Sequence, residues 1–400
     1  MSSLQETNQE ERTVQDNLAI YVHWPFCQSK CPYCDFNSYV ALTIDHDAWR
    51  QSYVKELEYY AEHLSNRPVS SIFFGGGTPS LMEPATVELV LNTITRLWPK
   101  TRDIEITLEA NPTSVEADKF AAFKTAGVNR LSLGVQALRE DALKFLGRKH
   151  DVHQAQSAID LARQFFPRFS FDLIYARHDQ TPESWEKELR EALTLASDHL
   201  SLYQLTIEPS TQFYTLAQRG EPLTAPDEPA ALMYELTQKI LTAAGLPAYE
   251  ISNHARPGQE SRHNLTYWHY EDYIGIGPGA HGRYQRHTEN YLQRLATDNH
   301  RAPEVWMKQV RADRHGQRQC EAVDMKTAMR EALMMGLRLP EGISYEKWQK
   351  KFPEKLDSFV TSSKKTRLIH EGYIKPNPIA LQATESGLQR LNAMLGYLLS

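Results

Sequence analysis

Four cysteines in 400 residues are too few to staple a chain of this size, so a secreted disulfide scaffold is excluded. No apolar run approaches the ~18 residues that a membrane-spanning helix needs. Basic residues do not outnumber acidic ones. Lys and Arg number 44 against 50 Asp and Glu, a net charge of −6, so no global positive field exists to hold nucleic acid or an anionic membrane. Internal repeats and low-complexity blocks are missing as well. Residues 1–17, MSSLQETNQEERTVQDN, lack the basic start, apolar middle and small-residue cleavage site of a secretory signal, and they read as a disordered polar leader. A reducing, cytoplasmic setting fits these absences.

What is present is enough apolar matter for two cores. The chain is 41% hydrophobic and 10% aromatic, and single cores stop growing near ~250–300 residues. From residue 18 to about 253, short runs rich in β-branched and aromatic residues (LAIYVHW, SIFFGGG, DIEITLEAN, RLSLGVQ, RFSFDLIYA, HLSLYQLT, AYEISN) alternate with stretches of helical period at 46–64, 84–98, 115–127, 152–166, 182–196 and 227–245. Thr113 with Glu116 reads as a capping box, and Thr181 with Pro182 as an N-cap followed by proline at the first helical position. Repeated strand-helix units demand parallel strands with right-handed crossovers. Six or seven strands fall short of a closed barrel, so the expected fold is α/β, a partial (β/α)6-type TIM barrel over residues 18–290, with a doubly wound open sheet as the rival.

After about residue 290 the alternation stops. Residues 322–339 and 345–372 read as helices, YIKPNPIALQ as a hairpin turning at 375–378, and the remainder as a last helix. Residues 291–400 are therefore expected to form a smaller, mostly helical, winged-helix-like domain. The cluster Lys350, Lys351, Lys364, Lys365 and Arg367 reads as a solvated face, with no nucleic acid as partner.

Three of the four cysteines fall within FCQSKCPYC, residues 26–34. Cys27, Cys31 and Cys34 form C-x3-C-x2-C at the end of the first strand. Structural zinc wants four ligands, usually as two spaced pairs, and no second pair stands at such spacing. Three thiolates suit three irons of a 4Fe-4S cube and leave the fourth iron to take a cofactor or substrate ligand. Zinc and purely structural thiols remain the competing readings. The lone Cys320 reads as a small core hydrophobe.

If the first strand presents this loop at its C-terminal end, the later strand ends converge on it. The second ends in Gly75-Gly76-Gly77-Thr78-Pro79, where missing side chains let backbone approach a ligand and offer N–H groups, unless the glycines only serve a tight turn. Glu109 ends the third, Gln136 the fourth, and Asp172 lies in the fifth. A carboxylate on an apolar strand needs a partner: the amino group or ribose of a cofactor, or an ion pair with a residue such as Arg148. Farther on stands HNLTYW. His263 offers a nitrogen to iron, while Tyr267 and Trp268 offer flat apolar surface to a porphyrin; a helix start with core aromatics is the plainer alternative. His281 is a second candidate ligand. Gly277, Gly279 and Gly282 satisfy G-x-G-x-x-G by spacing, yet Pro278 and the missing strand-to-helix context argue against a dinucleotide site.

The cysteine loop, with aromatic Tyr33 before its last cysteine, resembles the signature of radical S-adenosylmethionine proteins, whose open iron is bound by the cofactor's amino and carboxylate groups. From the first strand to beyond residue 280 the chain is similar to the oxygen-independent coproporphyrinogen III oxidase-like family, and its C-terminal part resembles that family's terminal domain. The resemblance implies a 4Fe-4S cluster on Cys27, Cys31 and Cys34, with S-adenosylmethionine contacts at Tyr21, Tyr33, Gly76, Gly77, Thr78, Glu109, Gln136, Arg148 and Asp172. Phe36 stands where the oxidases carry a further cysteine, and only 26 residues precede Cys27, which sets the chain apart from them. His263-Asn264-x-x-Tyr267-Trp268 matches the motif of the family's heme-chaperone branch, which implies heme as cargo and a heme-accepting protein as partner. Such a carrier admits homodimerisation and transient contact with membrane-bound heme proteins. The alternative is a radical S-adenosylmethionine oxidoreductase acting on a porphyrinogen. One stretch departs from the family pattern: after DLIY stand Ala176-Arg177-His178-Asp179 in place of Gly-Leu-Pro, next to the expected adenosine site.

Overall fold

Six runs become parallel strands because each is covered on both faces, which favours near-continuous apolar sequence over strict alternation. They are β1 (Leu18–Trp24), β2 (Val69–Gly76), β3 (Lys100–Ala110), β4 (Arg130–Gln136), β5 (Arg168–Tyr175) and β6 (His199–Gln204). The computed structural model describes residues 17–113, 119–287 and 292–400. Residues 1–16 of the expected leader and the Glu116 half of the expected capping box lie outside that set. Parallel register sets Ile20 beside Ile72, Ile72 beside Ile106, Leu108 beside Leu131 and Phe171 beside Leu200.

Helices α1 (His46–Leu64), α2 (Pro84–Leu97), α3 (Phe120–Ala126), α4 (Val152–Phe165), α5 (Pro182–Leu195) and α6 (Asp227–Ala243) follow the strands in turn. Their starts obey the expected local chemistry. Thr181 caps α5 with Pro182 in its first turn, and Asp151 with Gln154 forms a capping box on α4.

Five further strands extend the sheet: β7 (Asn253–Ala255), β8 (Asp272–Ile276), β9 (His281–His287), β10 (Leu292–Asn299) and β11 (Gln317–Ala322). The order is β11-β10-β9-β8-β1-β2-β3-β4-β5-β6-β7, with β8 parallel to β1 and the outer strands antiparallel. This is the expected partial barrel, open between β11 and β7. The seventh run, AYEISN, is a strand only from Asn253 onward. Upstream the Glu250 carboxylate accepts the Ser252 N–H and the Asn253 amide, each at 2.7 Å, and so bends the chain away from a ladder.

The main sheet runs on past residue 290 to Ala322. A separate apolar cluster then gathers Leu333, Trp348, Val360, Leu368, Leu381 and Leu395 from short helices. Within it residues 373–382 fold back on themselves, with the Lys375 N–H reaching Gln382 O at 2.8 Å. Ala380–Leu381 pairs with Ile343–Ser344 as a two-stranded wing. Cys320 is exposed on β11, so it does not serve as a core hydrophobe.

One buried carboxylate ties the sheet extension to the barrel. Glu56 of α1 accepts the N–H groups of Gly277 at 2.8 Å and Gly316 at 2.7 Å, the Asn299 amide at 3.0 Å and the Trp306 indole at 3.1 Å. Burial pushes its carboxyl up to about 7 in spite of these donors. Glu56→Gln is close in shape, yet either amide orientation points an NH2 group at a backbone N–H. Urea unfolding at pH 8 is expected to show a loss of about 2 kcal/mol; a wild-type midpoint would contradict this role for Glu56.

Candidate functional site

The C-terminal ends of β1 to β6 open onto a cavity of about 1130 Å³, and Cys27, Cys31 and Cys34 all line it as half-buried free thiols. The loop that carries them is fixed at both ends. Tyr39 N–H meets Pro25 O at 2.7 Å, the His23 ring meets Asn37 O at 2.9 Å, and the Asn37 amide donates to Pro278 O at 3.0 Å. Thr78 donates its hydroxyl to Cys27 Sγ at 3.4 Å, and Arg148 donates to Cys31 Sγ at 3.5 Å. Burial pushes the Cys27 and Cys34 thiols up. Among the described residues no three Cys, His, Asp or Glu side chains converge as a set for one metal ion. A cube takes one thiolate per iron and needs no such convergence, so this donor set fits an iron–sulfur cluster better than a mononuclear zinc.

Two carboxylates stand across the same cavity. Glu109 accepts the Gly76 N–H at 3.2 Å, and desolvation, reinforced by the charge of Asp172, pushes it up to about 8. Asp172 Oδ2 accepts from Gln136 at 3.0 Å, while its buried Oδ1 has no partner; desolvation pushes this carboxyl up to about 6. The ion-pair alternative is not realised, because Arg148 directs its donors at Cys31, Asn111 and Gly134 O. A buried carboxylate oxygen without a partner, on the same cavity as three thiols, fits a cationic or hydroxyl-bearing ligand. Gln136 holds its place with φ of 69°, a left-handed backbone that a non-glycine residue adopts at a cost of about 1 kcal/mol.

The glycines have a different task from the one expected. Gly77 N–H donates to Trp24 O at 2.7 Å and Thr78 N–H to Phe26 O at 2.9 Å, so these amides, like that of Gly76, are already engaged. A Cβ on Gly77 would stand 2.7 Å from Phe26 O, and one on Gly76, at φ of 115°, 2.6 Å from the His23 ring. Missing side chains here let β2 seat against the cysteine loop.

Tyr33, Gly77, Thr78, Glu109, Gln136, Arg148 and Asp172 all line the cavity, whereas Tyr21 and Gly76 do not. Tyr21 lies deeper, its hydroxyl 3.0 Å from His23 Nδ1. Sequence reasoning missed Asn111, Ser132, Ser201 and Tyr203, which line it too. Asn111 sits two residues beyond Glu109 and Ser132 and Ser201 follow strand alternation, so a systematic reading of inward positions finds them. The departure at residues 176–179 leaves the mouth unaffected: Arg177 turns inward to pair with Glu188 at 2.7 Å, and none of the four residues lines the cavity.

HNLTYW is brought elsewhere. It forms helix α7 (Arg262–Trp268), capped by Ser261, and none of His263, Asn264, Tyr267 or Trp268 lines the cavity. His263 is 1% exposed, with Nδ1 3.0 Å from Ser71 Oγ, Nε2 2.7 Å from Tyr267 Oη, and its ring stacked on Phe73 at 5.0 Å. Burial lowers its pKa to about 3. Both ring nitrogens are occupied, so His263 does not present a free nitrogen to iron; it braces the far end of the barrel. Asn264 donates to Tyr249 Oη at 3.2 Å, and Trp268 lies 4.5 Å beneath the Arg338 guanidinium. His281 is exposed on β9 and does not line the cavity either. For a brace, His263→Ala lowers stability by about 3 kcal/mol in urea melts of the heme-free protein, where a pure iron ligand would leave those melts unchanged.

The profile of the Radical SAM superfamily matches residues 21–192, and that of the HemN C-terminal domain matches residues 323–390. The chain is 40% identical to the mitochondrial Radical S-adenosyl methionine domain-containing protein 1 of Bos taurus, over 96% of this chain and 87% of that one. It is 44% identical to the heme chaperone HemW of Escherichia coli K12, over 66% and 70%, and 33% identical to HemW of Bacillus subtilis 168, over 95% and 98%. In structure it resembles the coproporphyrinogen III oxidase HemN of Escherichia coli with a TM-score of 0.80 at 21% identity, covering 96% of this chain and 90% of that one; at this identity the likeness shows the fold. With identity above 30% across nearly the whole length of HemW, and a cysteine loop set at the mouth of a six-stranded parallel barrel, the chain belongs to the HemW-type branch of the radical SAM superfamily.

Proposed function

We propose that this protein is a heme chaperone that carries a 4Fe-4S cluster on Cys27, Cys31 and Cys34, binds S-adenosylmethionine beside it, and passes heme to an acceptor protein. The observation that carries the reading is the pairing, in one cavity, of three free thiols with the orphaned Asp172 Oδ1 and the desolvated Glu109. Its relatives named heme chaperone supply the cargo. When bound, the cluster supplies an open iron for the cofactor's amino and carboxylate groups. Thr78 and Arg148 then point donors at two of the thiolates, Glu109 and Asp172 receive the cofactor's cationic and hydroxyl groups, and Gln136 holds Asp172 in place. No helix among the described residues is long and apolar enough to cross a membrane, and the four cysteines are unpaired, which supports a cytoplasmic setting.

The oxidoreductase alternative makes a different demand, namely consumption of the cofactor. Reconstituted protein given a reductant and coproporphyrinogen is expected to form no decarboxylated product and no stoichiometric 5′-deoxyadenosine. Sustained formation of both, followed by chromatography, would replace the carrier with an enzyme.

The Glu109 carboxyl, raised to about 8, is largely protonated at pH 7, and a cationic ligand favours its ionised form. Binding of S-adenosylmethionine therefore releases a proton, and affinity rises as pH goes from 6.5 to 8.5. Calorimetry in two buffers of different ionisation heat reads that release, and Glu109→Gln removes the component due to this group. Release undiminished in the variant would show that Glu109 does not meet the cofactor.

A further inference from the structure

At about 1130 Å³ the cavity exceeds the ~300–1,000 Å³ usual for one small-molecule site, and its lining divides into two chemistries. One part is the thiol and carboxylate wall already described. The other is built by the end of β6, by the segment before β7 and by the C-terminal unit, from Tyr203, Leu205, Ile251, Leu388, Leu391 and Ala393 together with Arg338 and Arg390. It mixes apolar surface with neutral polar groups such as Gln389 and Asn392 and two guanidinium groups, and it takes in no cluster thiol and neither Glu109 nor Asp172.

Arg338 is held there with unusual care. Its guanidinium lies 4.5 Å above the Trp268 ring, and Nη2 donates to Glu250 Oε2 at 3.0 Å, a carboxylate that is 1% exposed. Its Nε has no partner among the described residues. A guanidinium oriented by an aromatic face on one side and a buried carboxylate on another presents its remaining donors as a fixed fork, the geometry that matches a carboxylate. HNLTYW thus bears on the cavity without entering it: Trp268, at the end of α7, props the arginine that does.

Resting on the heme-carrier reading above, we infer that this second wall is where heme is held, with its macrocycle against the apolar surface and a propionate carboxylate on Arg338. The macrocycle is flat and apolar and its rim carries two carboxylates, which suits a wall that exposes Tyr203, Ile251 and Leu388 beside two arginines. Arg338 is a specificity residue in this account, and Trp268 is its positioning residue.

The test titrates hemin and hemin dimethyl ester, followed by absorbance, into cluster-reconstituted protein loaded with S-adenosylmethionine. Arg338→Gln weakens hemin by about ten-fold or more and leaves the ester within about two-fold, since only the free propionate meets the guanidinium. Arg338→Lys, which keeps a charge against Glu250 but loses the fork, recovers only part of the affinity lost in Arg338→Gln and guards against a folding defect. Ala393→Trp, at an exposed position of the helix Leu391–Leu399, fills the wall and weakens both ligands. Equal loss of hemin and ester in Arg338→Gln would overturn the propionate contact. Unchanged hemin affinity in both Arg338→Gln and Ala393→Trp would place heme elsewhere and leave the carrier reading intact, whereas a wild-type protein that takes up no hemin would sink both.

Discussion

The backbone contact between the ends of β1 and β2 sets the rest of the site. Gly77 N–H reaches Trp24 O at 2.7 Å, and there is no room for a Cβ on either Gly76 or Gly77 without displacing the His23 ring or Phe26 O. This closeness fixes where the chain leaves the sheet, and the next residues are the cysteine loop. Because βα loops of parallel strands converge on one end, the thiols then face what β3, β4 and β5 carry at the same level: Glu109, Gln136 and Asp172. Three half-buried thiols and two desolvated carboxylates cost stability in the ligand-free protein, and packing elsewhere offsets that cost.

The opposite end of the barrel shows how such packing is arranged. Glu105, held by Arg168 at 2.7 Å, accepts the His263 N–H, and the His263 ring is clasped by Ser71 and Tyr267. These polar groups are buried and satisfied, the condition under which they rigidify a core. The mouth differs because Asp172 Oδ1 is left without a partner. Buried nitrogens without a partner occur near the base as well, His199 Nδ1 and Trp268 Nε1 among them, so what marks the site is a carboxylate oxygen left bare on the same cavity as three thiols.

Much of this was legible in sequence. Period and cap chemistry placed the helices at 46–64, 152–166 and 182–196 within a residue of the observed ends, and the cysteine spacing pointed to the loop that lines the cavity. The illegible parts share one cause, contacts between residues distant in the chain. A histidine with a ring partner 192 residues away looks the same in sequence as one that awaits iron. The glycine run could not reveal that its amides face β1 and not a ligand, because that depends on strand pairing. Arg338 gave no signal at all, since only the docking of the C-terminal unit brings it over Trp268 and onto the cavity.

The central claim is that three thiolates hold an iron–sulfur cube at the barrel mouth. Anaerobic reconstitution followed by metal and sulfide analysis tests it most directly. The account predicts about four irons and four sulfides per chain, lost together when Cys27, Cys31 and Cys34 are replaced by Ala while Cys320→Ala retains them. Folded wild-type protein that binds zinc without iron, or that keeps its iron in the triple variant, would contradict it.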